Sequence, residues 1–369
     1  MLNLKELPRL DPRTKNTPPP SKENLPSVQQ AFSLFLKRYC VLLFVPALIF
    51  YFIYCNRTEK TLQNGVYEVL REIGSNGFGV KYSKPKGSFF AFTGGIYIDD
   101  LVLIAPEKMG GATIKASRIE LSANPLNPQN VLVQMHGAFS VTKKDGTEIR
   151  LQVQEMQARF FAQNSKKSPS LKITVENLIS ISGIHHFKLG FLSLETSQRS
   201  VEMNGQMSFD YVLDVNQLRL ADEWRPLPEL AEFVRLEGIV QGISSRRDKP
   251  LIDDWLKNSG TLEIKKGEIV WQPLMSEFSA TFGINPSFQS IVAASAKVYG
   301  FFNFLDILER MNVVRSADVS VAKIVLGQRL KVEDGETRLS LTSPFTWQFG
   351  KFYAGPVLLF DSGAEASAL

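Results

Sequence analysis

The sequence predicts a β-rich α+β protein, in which one N-terminal transmembrane helix precedes a long antiparallel sheet that carries a few packing helices. Two observations lead to this fold class. Residues 39–55 form an apolar run without a charged side chain. Downstream, apolar and polar residues repeatedly alternate with the period of two that is typical of strands with one buried face.

The apolar run begins at Tyr39 and ends at Cys55, and it contains a single proline, Pro46. A helix of this length covers about 25 Å, close to the thickness of a bilayer core. Basic residues flank both ends, where their side chains can reach the headgroups. The pattern therefore predicts one membrane anchor.

Charge predicts the orientation of this anchor. Residues 1–38 hold seven Lys or Arg against three acidic residues, and the positive-inside rule places such a segment in the cytoplasm. A cleaved signal peptide is the alternative, but no Ala-x-Ala site follows the apolar run. We expect a disordered cytoplasmic tail (residues 1–38), an anchor in the inner membrane (39–56), an exported β-rich domain (57–360) and a loose C-terminal tail (361–369).

Composition narrows the choice of partners and compartment. The chain carries a net charge of +5, and nearly all of the excess lies in the N-terminal tail, so the large domain lacks the basic face of a nucleic-acid-binding protein. Both cysteines, Cys40 and Cys55, belong to the predicted anchor. The exported part can form no disulfide, which favours a bacterial periplasm.

Helices are predicted at four places in the exported part. Residues 61–73 repeat apolar side chains at helical spacing and stop at Gly74. We also expect short helices over residues 228–236 and 250–257, and a longer apolar helix over residues 289–311 with a break near Gly300.

The remaining patterns indicate strands. A change of apolar parity predicts a bulge near residues 154–155, and residues 262–264 and 269–271 are expected to form a hairpin across Lys265-Lys266-Gly267. Residues 319–326, 329–332, 337–341 and 356–360 complete the predicted strands.

Residues 201–215 alternate apolar and polar side chains almost without a break, which predicts one long strand with a dry face and a wet face. The dry face is our candidate apolar groove: Val201, Met203, Met207, Phe209, Tyr211 and Leu213. Such a trough would bind acyl chains of phospholipids. The alternative is ordinary core packing, with the helix over residues 289–311 filling the trough.

Residues that carry chemistry are scarce. The three histidines are His136, His185 and His186, and adjacent residues of a strand point to opposite faces, so the pair cannot chelate one metal simply. No nucleophile or phosphate-loop motif occurs. We expect no enzyme activity, cofactor or metal; a hydrolase built from scattered residues is the weakest alternative.

Several stretches resemble a known family. GFGVKYSKPKG (residues 77–87), IYIDDLVLIAPE (96–107), GTLEIKKGEIVWQPL (260–274) and the ending at residues 330–360 are similar to the bacterial family DUF2125 and, more broadly, to AsmA-like envelope proteins. The resemblance implies a membrane-tethered periplasmic protein whose long antiparallel sheet is curved and groove-like. Proteins of the broader group handle phospholipid movement or outer-membrane assembly, so a lipid-binding role is expected. A non-catalytic scaffold that contacts other envelope proteins is the alternative.

Overall fold

The computed structural model of the protein describes residues 28–90, 93–107, 110–161, 168–181, 186–199, 206–220, 227–244, 255, 258–284, 289–332 and 338–361. For residues 28–49, 89, 90, 93 and 244 it describes the backbone alone. The chain forms two compact units, residues 1–53 and residues 54–369. The second unit contains the whole sheet.

Three helices occur in the described residues: α1 (Val28–Ser75), α2 (Phe301–Arg310) and α3 (Ser316–Gly327). The predicted helix over residues 61–73 is confirmed as the end of α1. Leu62, Val66 and Leu70 are buried there, because a spacing of four residues places them on one side of the helix.

The predicted anchor falls within α1, and the side chains of residues 39–49 lie outside the described residues. Within the part of the chain that is described, we find no helix that combines the length and the apolar content needed to cross a membrane. Of the two predicted tails, residues 1–38 and 361–369, the parts over residues 1–27 and 362–369 also lie outside the described residues.

The first nine strands are β1 (Gly79–Lys81), β2 (Lys86–Phe90), β3 (Thr93–Ile104), β4 (Thr113–Asn124), β5 (Asn127–Thr142), β6 (Glu148–Phe161), β7 (Ser170–Ser180), β8 (Lys188–Gln198) and β9 (Gln206–Arg219). Eight more follow: β10 (Leu230–Ser244), β11 (Thr261–Trp271), β12 (Leu274–Ile284), β13 (Ser290–Tyr299), β14 (Leu330–Val332), β15 (Leu339–Gln348), β16 (Lys351–Ala354) and β17 (Val357–Asp361).

All described strands belong to one long, curved and open antiparallel sheet. From β3 to β13 each strand pairs with the next one along the chain, and β13 then pairs with β15, which pairs with β16. Short β1 and β2 both pair with β3, and short β14 pairs with β15. The predicted β-rich architecture with one long antiparallel sheet is thus confirmed.

Bulges keep the apolar side chains on one side of these long strands. Met135 pairs with Met156 and Gly137 pairs with Val153, so Gln154 and Glu155 together oppose one residue. This confirms the bulge predicted near residues 154–155. The backbone of β3 also kinks at Asp100, whose φ is 54°. The register with β4 stays the same across this kink, and both Ile98 and Leu101 are buried on either side of it.

Two predicted helices are wrong wholly or in part, because sheet pairing overrides helix propensity there. Residues 228–236 belong mainly to β10, which is paired on both sides with β9 and β11. Of the helix predicted over residues 289–311, only α2 is helical, and the preceding segment is strand β13. The break predicted at Gly300 is confirmed, since its φ of 68° separates the two elements.

Two strand predictions are also wrong. Residues 319–326 lie in α3, where Val319, Ala322 and Leu326 are buried at helical spacing. The hairpin predicted across Lys265-Lys266-Gly267 is instead a bulge within continuous β11, and the chain turns at Gln272-Pro273. The helix predicted over residues 250–257 lies outside the described residues except for Trp255.

Candidate functional site: one apolar face of the sheet

One row of directly paired residues crosses twelve strands from β3 to β15, and it is apolar almost throughout. Directly paired residues of an antiparallel sheet point to the same face, so this row marks one continuous face. We name that side of the sheet the apolar face. The row consists of Ile96, Leu121, Val133, Ala158, Ile173, Leu194, Leu213, Leu236, Gly267, Phe278, Ala296 and Ser343.

The adjacent row, one residue along each strand, points to the other side and is polar. It consists of Tyr97, Glu120, Gln134, Gln157, Thr174, Ser193, Asp214, Arg235, Glu268, Glu277, Lys297 and Thr342. We name this side the polar face. The contrast between neighbouring rows shows that the sheet has one water-facing side and one side that requires apolar contact.

Helices cover the apolar face at both ends of the sheet. At one end Leu62, Val66 and Leu70 of α1 form a buried cluster with Ile96 and Ile98. At the other end α2 and α3 build a larger cluster over β13 and β15–β17, in which Ala322, Leu326, Leu341 and Ala354 are completely buried. Neither of these clusters includes a described residue of β6–β11.

The centre of the apolar face, over β6–β11, is accordingly less well covered. Ile173, Leu194, Leu213 and Leu236 are each half-buried, and Phe160 is 45% exposed. Strands lie about 4.8 Å apart, so these six strands present an apolar surface roughly 24 Å wide. We call it the open strip.

Two aromatic side chains of the apolar face each lie over a glycine of a neighbouring strand. Tyr211 lies over Gly238 of β10 and donates a hydrogen bond to the backbone oxygen of Glu263, 3.3 Å away in β11. Phe278 lies over Gly267 of β11, where any Cβ would collide with its ring. The rings therefore form a smooth floor and cover backbone polar groups that an apolar surface would otherwise expose.

The predicted groove residues can now be placed. Phe209, Tyr211 and Leu213 lie on the apolar face, paired with Val240, Gly238 and Leu236 of β10, and Met207 pairs with Ile243 beyond a bulge. Val201 and Met203 lie outside the described residues. The alternation of β9 thus identified one strand of this surface and missed the strands on either side of it.

Charge is concentrated on the polar face. In the centre of the sheet Lys172 pairs with Glu195, and Arg199 pairs with Asp210 at 2.8 Å. Arg235 lies 2.7 Å from Glu237 and 3.7 Å from Asp214. Tyr211 is a titratable group on the apolar face. Its pKa is raised by burial and by the charge of Glu263, so its hydroxyl stays neutral at physiological pH.

Groups suited to metal binding are not assembled in the described residues. No cluster of three or more His, Cys, Asp or Glu side chains with the geometry of a metal site occurs among them. His136 lies at the β5–β6 bulge, with Nδ1 3.3 Å from the backbone oxygen of Gln154. His185 lies outside the described residues, and His186 is exposed.

An apolar cavity of about 600 Å³ lies between α2 and the sheet. Its floor is built from β12 and β13, its roof from Phe301, Phe304 and Leu305 of α2, and its rim from aromatic residues of β15 and β16. Sequence reasoning missed this cavity, because its walls come from segments far apart in the chain. The signal that was available is the run of small residues in β13, which leaves space above the sheet.

The curated proteins include none whose sequence matches this chain. The profile of a family described as an uncharacterized protein conserved in bacteria, DUF2125, matches residues 58–360. The match covers the sheet, α2, α3 and the last part of α1. The chain belongs to the DUF2125 family.

Proposed function

We propose that this protein binds the acyl chains of lipids on the open strip, and that it handles phospholipids in the bacterial cell envelope without catalysing a reaction. The observation that carries the proposal is a continuous apolar face that helices cover at both ends, whereas over β6–β11 several of its side chains, such as Leu194 and Leu213, are only partly buried. Exposed apolar patches larger than a few hundred Å² are uncommon on proteins without a partner.

The chemistry of the open strip fits a hydrocarbon chain. Its apolar row offers side-chain carbon without a charged group, and Tyr211 already uses its hydroxyl within the protein. Each methylene removed from water contributes about 0.8 kcal/mol. A surface about 24 Å wide, estimated from the strand spacing, is broad enough to accept many methylenes side by side.

The proposal includes a location. The apolar run of residues 39–55 would hold the protein in the inner membrane, with the N-terminus in the cytoplasm and residues 57–360 in the periplasm. A protease added to cells with a permeabilised outer membrane should then digest the sheet domain and leave a short membrane-bound fragment. Recovery of the sheet domain intact under those conditions would contradict the location.

A scaffold is the second candidate, since a protein partner could also cover the open strip. The same partly buried side chains of the open strip support the scaffold, and the resemblance to AsmA-like proteins is compatible with either role. The two candidates differ in what occupies the open strip in the purified protein.

The lipid proposal is tested by native mass spectrometry and lipid extraction on the full-length protein. The decisive variant is Leu213→Asp, which puts a charge in the middle of the apolar row. Its matched control is Thr174→Asp, which puts the same charge on the polar face between uncharged Gln157 and Ser193.

We expect the wild type and Thr174→Asp to carry phospholipid. The amount of bound phospholipid per protein should be at least about tenfold lower in Leu213→Asp than in the wild type. Burying a carboxylate against an acyl chain costs more than the ~1.4 kcal/mol that corresponds to a factor of ten. A stable wild-type protein that is free of lipid and takes up none from phosphatidylethanolamine and phosphatidylglycerol vesicles would favour the scaffold.

A further inference from the structure

The cavity under α2 has a shape and lining that suit one end of a chain molecule. Its volume of about 600 Å³ falls in the range of about 300–1,000 Å³ that is typical of small-molecule sites. Among its lining residues, the side-chain polar atoms are the hydroxyl of Ser276 and the indole nitrogen of Trp347. Walls of this kind favour an apolar ligand over a polar one, because a polar group placed there would lose its hydrogen bonds to water.

The cavity continues the open strip. A second row of paired residues on the apolar face runs from Leu192 through Val215, Val234 and Ile269 to Ser276. Its last two members line the cavity. A chain lying along this row would therefore pass directly beneath α2.

Small side chains make the space. Ala294 and Ala296 of β13 form the floor below α2, whereas the neighbouring strands present Phe278 and Phe345 at paired positions. A phenylalanine at position 294 would fill the cavity from below. Ala293, one residue earlier, points to the polar face and is exposed.

We propose that the cavity under α2 is the seat of the methyl end of a bound acyl chain, so that a lipid lies on the open strip with its headgroup directed away from α2. This inference rests on the proposed function and adds a direction and a length limit to it. The direction follows from the lining, which offers a phosphate no cationic partner. The length limit follows from the volume of the cavity, about 600 Å³, because a longer chain end would not fit between α2 and the sheet.

Trp347 lies on the cavity rim and provides a readout. Full-length protein is mixed with phosphatidylcholine whose acyl chains are brominated either near the carboxyl end or near the methyl end, and tryptophan fluorescence is recorded. Because bromine quenches over short distances, the contribution of Trp347 is obtained by comparing the wild type with Trp347→Phe.

We expect bromine near the methyl end to quench Trp347 at least twice as strongly as bromine near the carboxyl end. Ala294→Phe should abolish that difference, and the matched control Ala293→Phe should retain it. A second variant, Phe304→Ala, enlarges the cavity and should shift binding towards longer chains, which keeps the test decisive if Ala294→Phe folds poorly.

Equal quenching from both bromine positions, with lipid binding that is still lost in Leu213→Asp, would overturn the methyl-end seat and leave the lipid-binding function standing. Absence of lipid binding in the wild type would overturn both. An unchanged quenching pattern in a folded Ala294→Phe variant would show that the chain end does not enter the cavity.

Discussion

The same apolar face is treated differently in two regions of the sheet. Over β13 and β15–β17, helices α2 and α3 cover it so closely that Leu305 is 1% exposed and Leu326 and Leu341 are fully buried. Over β6–β11, the equivalent positions, such as Leu194 and Leu213, are only partly buried. The comparison shows that an uncovered apolar face is not a necessary feature of this sheet, because α2 and α3 cover the same face tightly at one end.

The difference also separates stability from binding. Completely buried leucines at the covered end contribute mainly to the folded state, since removing them leaves a cavity. The leucines of the open strip are only partly buried, so they contribute less to folding and remain available to an external apolar partner. The predictions below test this division, beginning with the largest expected effect.

Truncation of a leucine should therefore cost very different amounts in the two regions. Leu326→Ala should lower the free energy of unfolding by about 2–5 kcal/mol, because the side chain of Leu326 in α3 is fully buried. Leu194→Ala should lower it by about 1 kcal/mol or less in lipid-free protein, as is usual for a side chain that keeps part of its solvent contact. Urea unfolding of the full chain measures both. Equal losses would show that the centre is as tightly packed as the end.

The floor of the open strip should be sensitive to a single methyl group. In Gly238→Ala the new Cβ would stand 1.8 Å from the backbone oxygen of Glu263 and 2.8 Å from the hydroxyl of Tyr211, so we expect a loss of about 1–3 kcal/mol. Gly283→Ala is the matched control in β12, where no atom lies within 4 Å of the new Cβ. The control should be neutral or slightly stabilising. Thermal unfolding measures both variants, and a neutral Gly238→Ala would contradict the described floor.

An ion pair on the polar face should make a small, pH-dependent contribution to the stability of the folded protein. Arg118 donates a hydrogen bond to Asp99 at 2.8 Å, and this bond, with help from Lys86, lowers the pKa of the Asp99 carboxyl. The stabilisation is therefore complete above the unfolded-state pKa of about 3.9 and is lost as the pH falls through the lower folded-state pKa.

Asp99→Asn should slightly lower the unfolding temperature at neutral pH, and the gap to the wild type should close as the pH falls below 3.9, about the unfolded value. The effect should be small because Lys86 and Arg118 are largely exposed. A gap that widens towards acid pH would contradict this assignment.

The sequence allowed the sheet to be predicted where alternation is strong. In β9, large apolar residues at odd positions and polar residues at even positions indicated both the strand and its dry face. Strand β13 carries the same alternation in small residues, with Ala294 and Ala296 on the apolar face, and alanine also has the highest helix propensity. The local pattern therefore favoured a helix, and the segment is a strand because it pairs with β12 and β15.

The candidate site was predictable in part for a related reason. A single strand reveals which of its residues are dry, so Phe209, Tyr211 and Leu213 were found from β9 alone. The width of the open strip depends on register across six strands, and the cavity depends on α2 folding back over β12 and β13. Neither the width of the open strip nor the cavity can be predicted from a local stretch of sequence.

The most direct test of the central claim is the accessibility of single cysteines, with and without lipid. In a protein with Cys40 and Cys55 replaced by serine, Leu213→Cys reports on the open strip. Val212→Cys reports on the polar face one residue away, and Leu326→Cys reports on the covered end. Maleimide labelling rates are measured in lipid-free protein and after addition of phosphatidylethanolamine and phosphatidylglycerol vesicles.

We predict that the cysteine at position 213 is labelled readily without lipid and is protected at least about tenfold when lipid is added, as expected for a bound chain that must leave first. The cysteine at 212 should be labelled equally in both states, and that at 326 in neither. A cysteine at 213 that resists labelling in lipid-free protein would show that the protein covers its own apolar face, and would contradict the account.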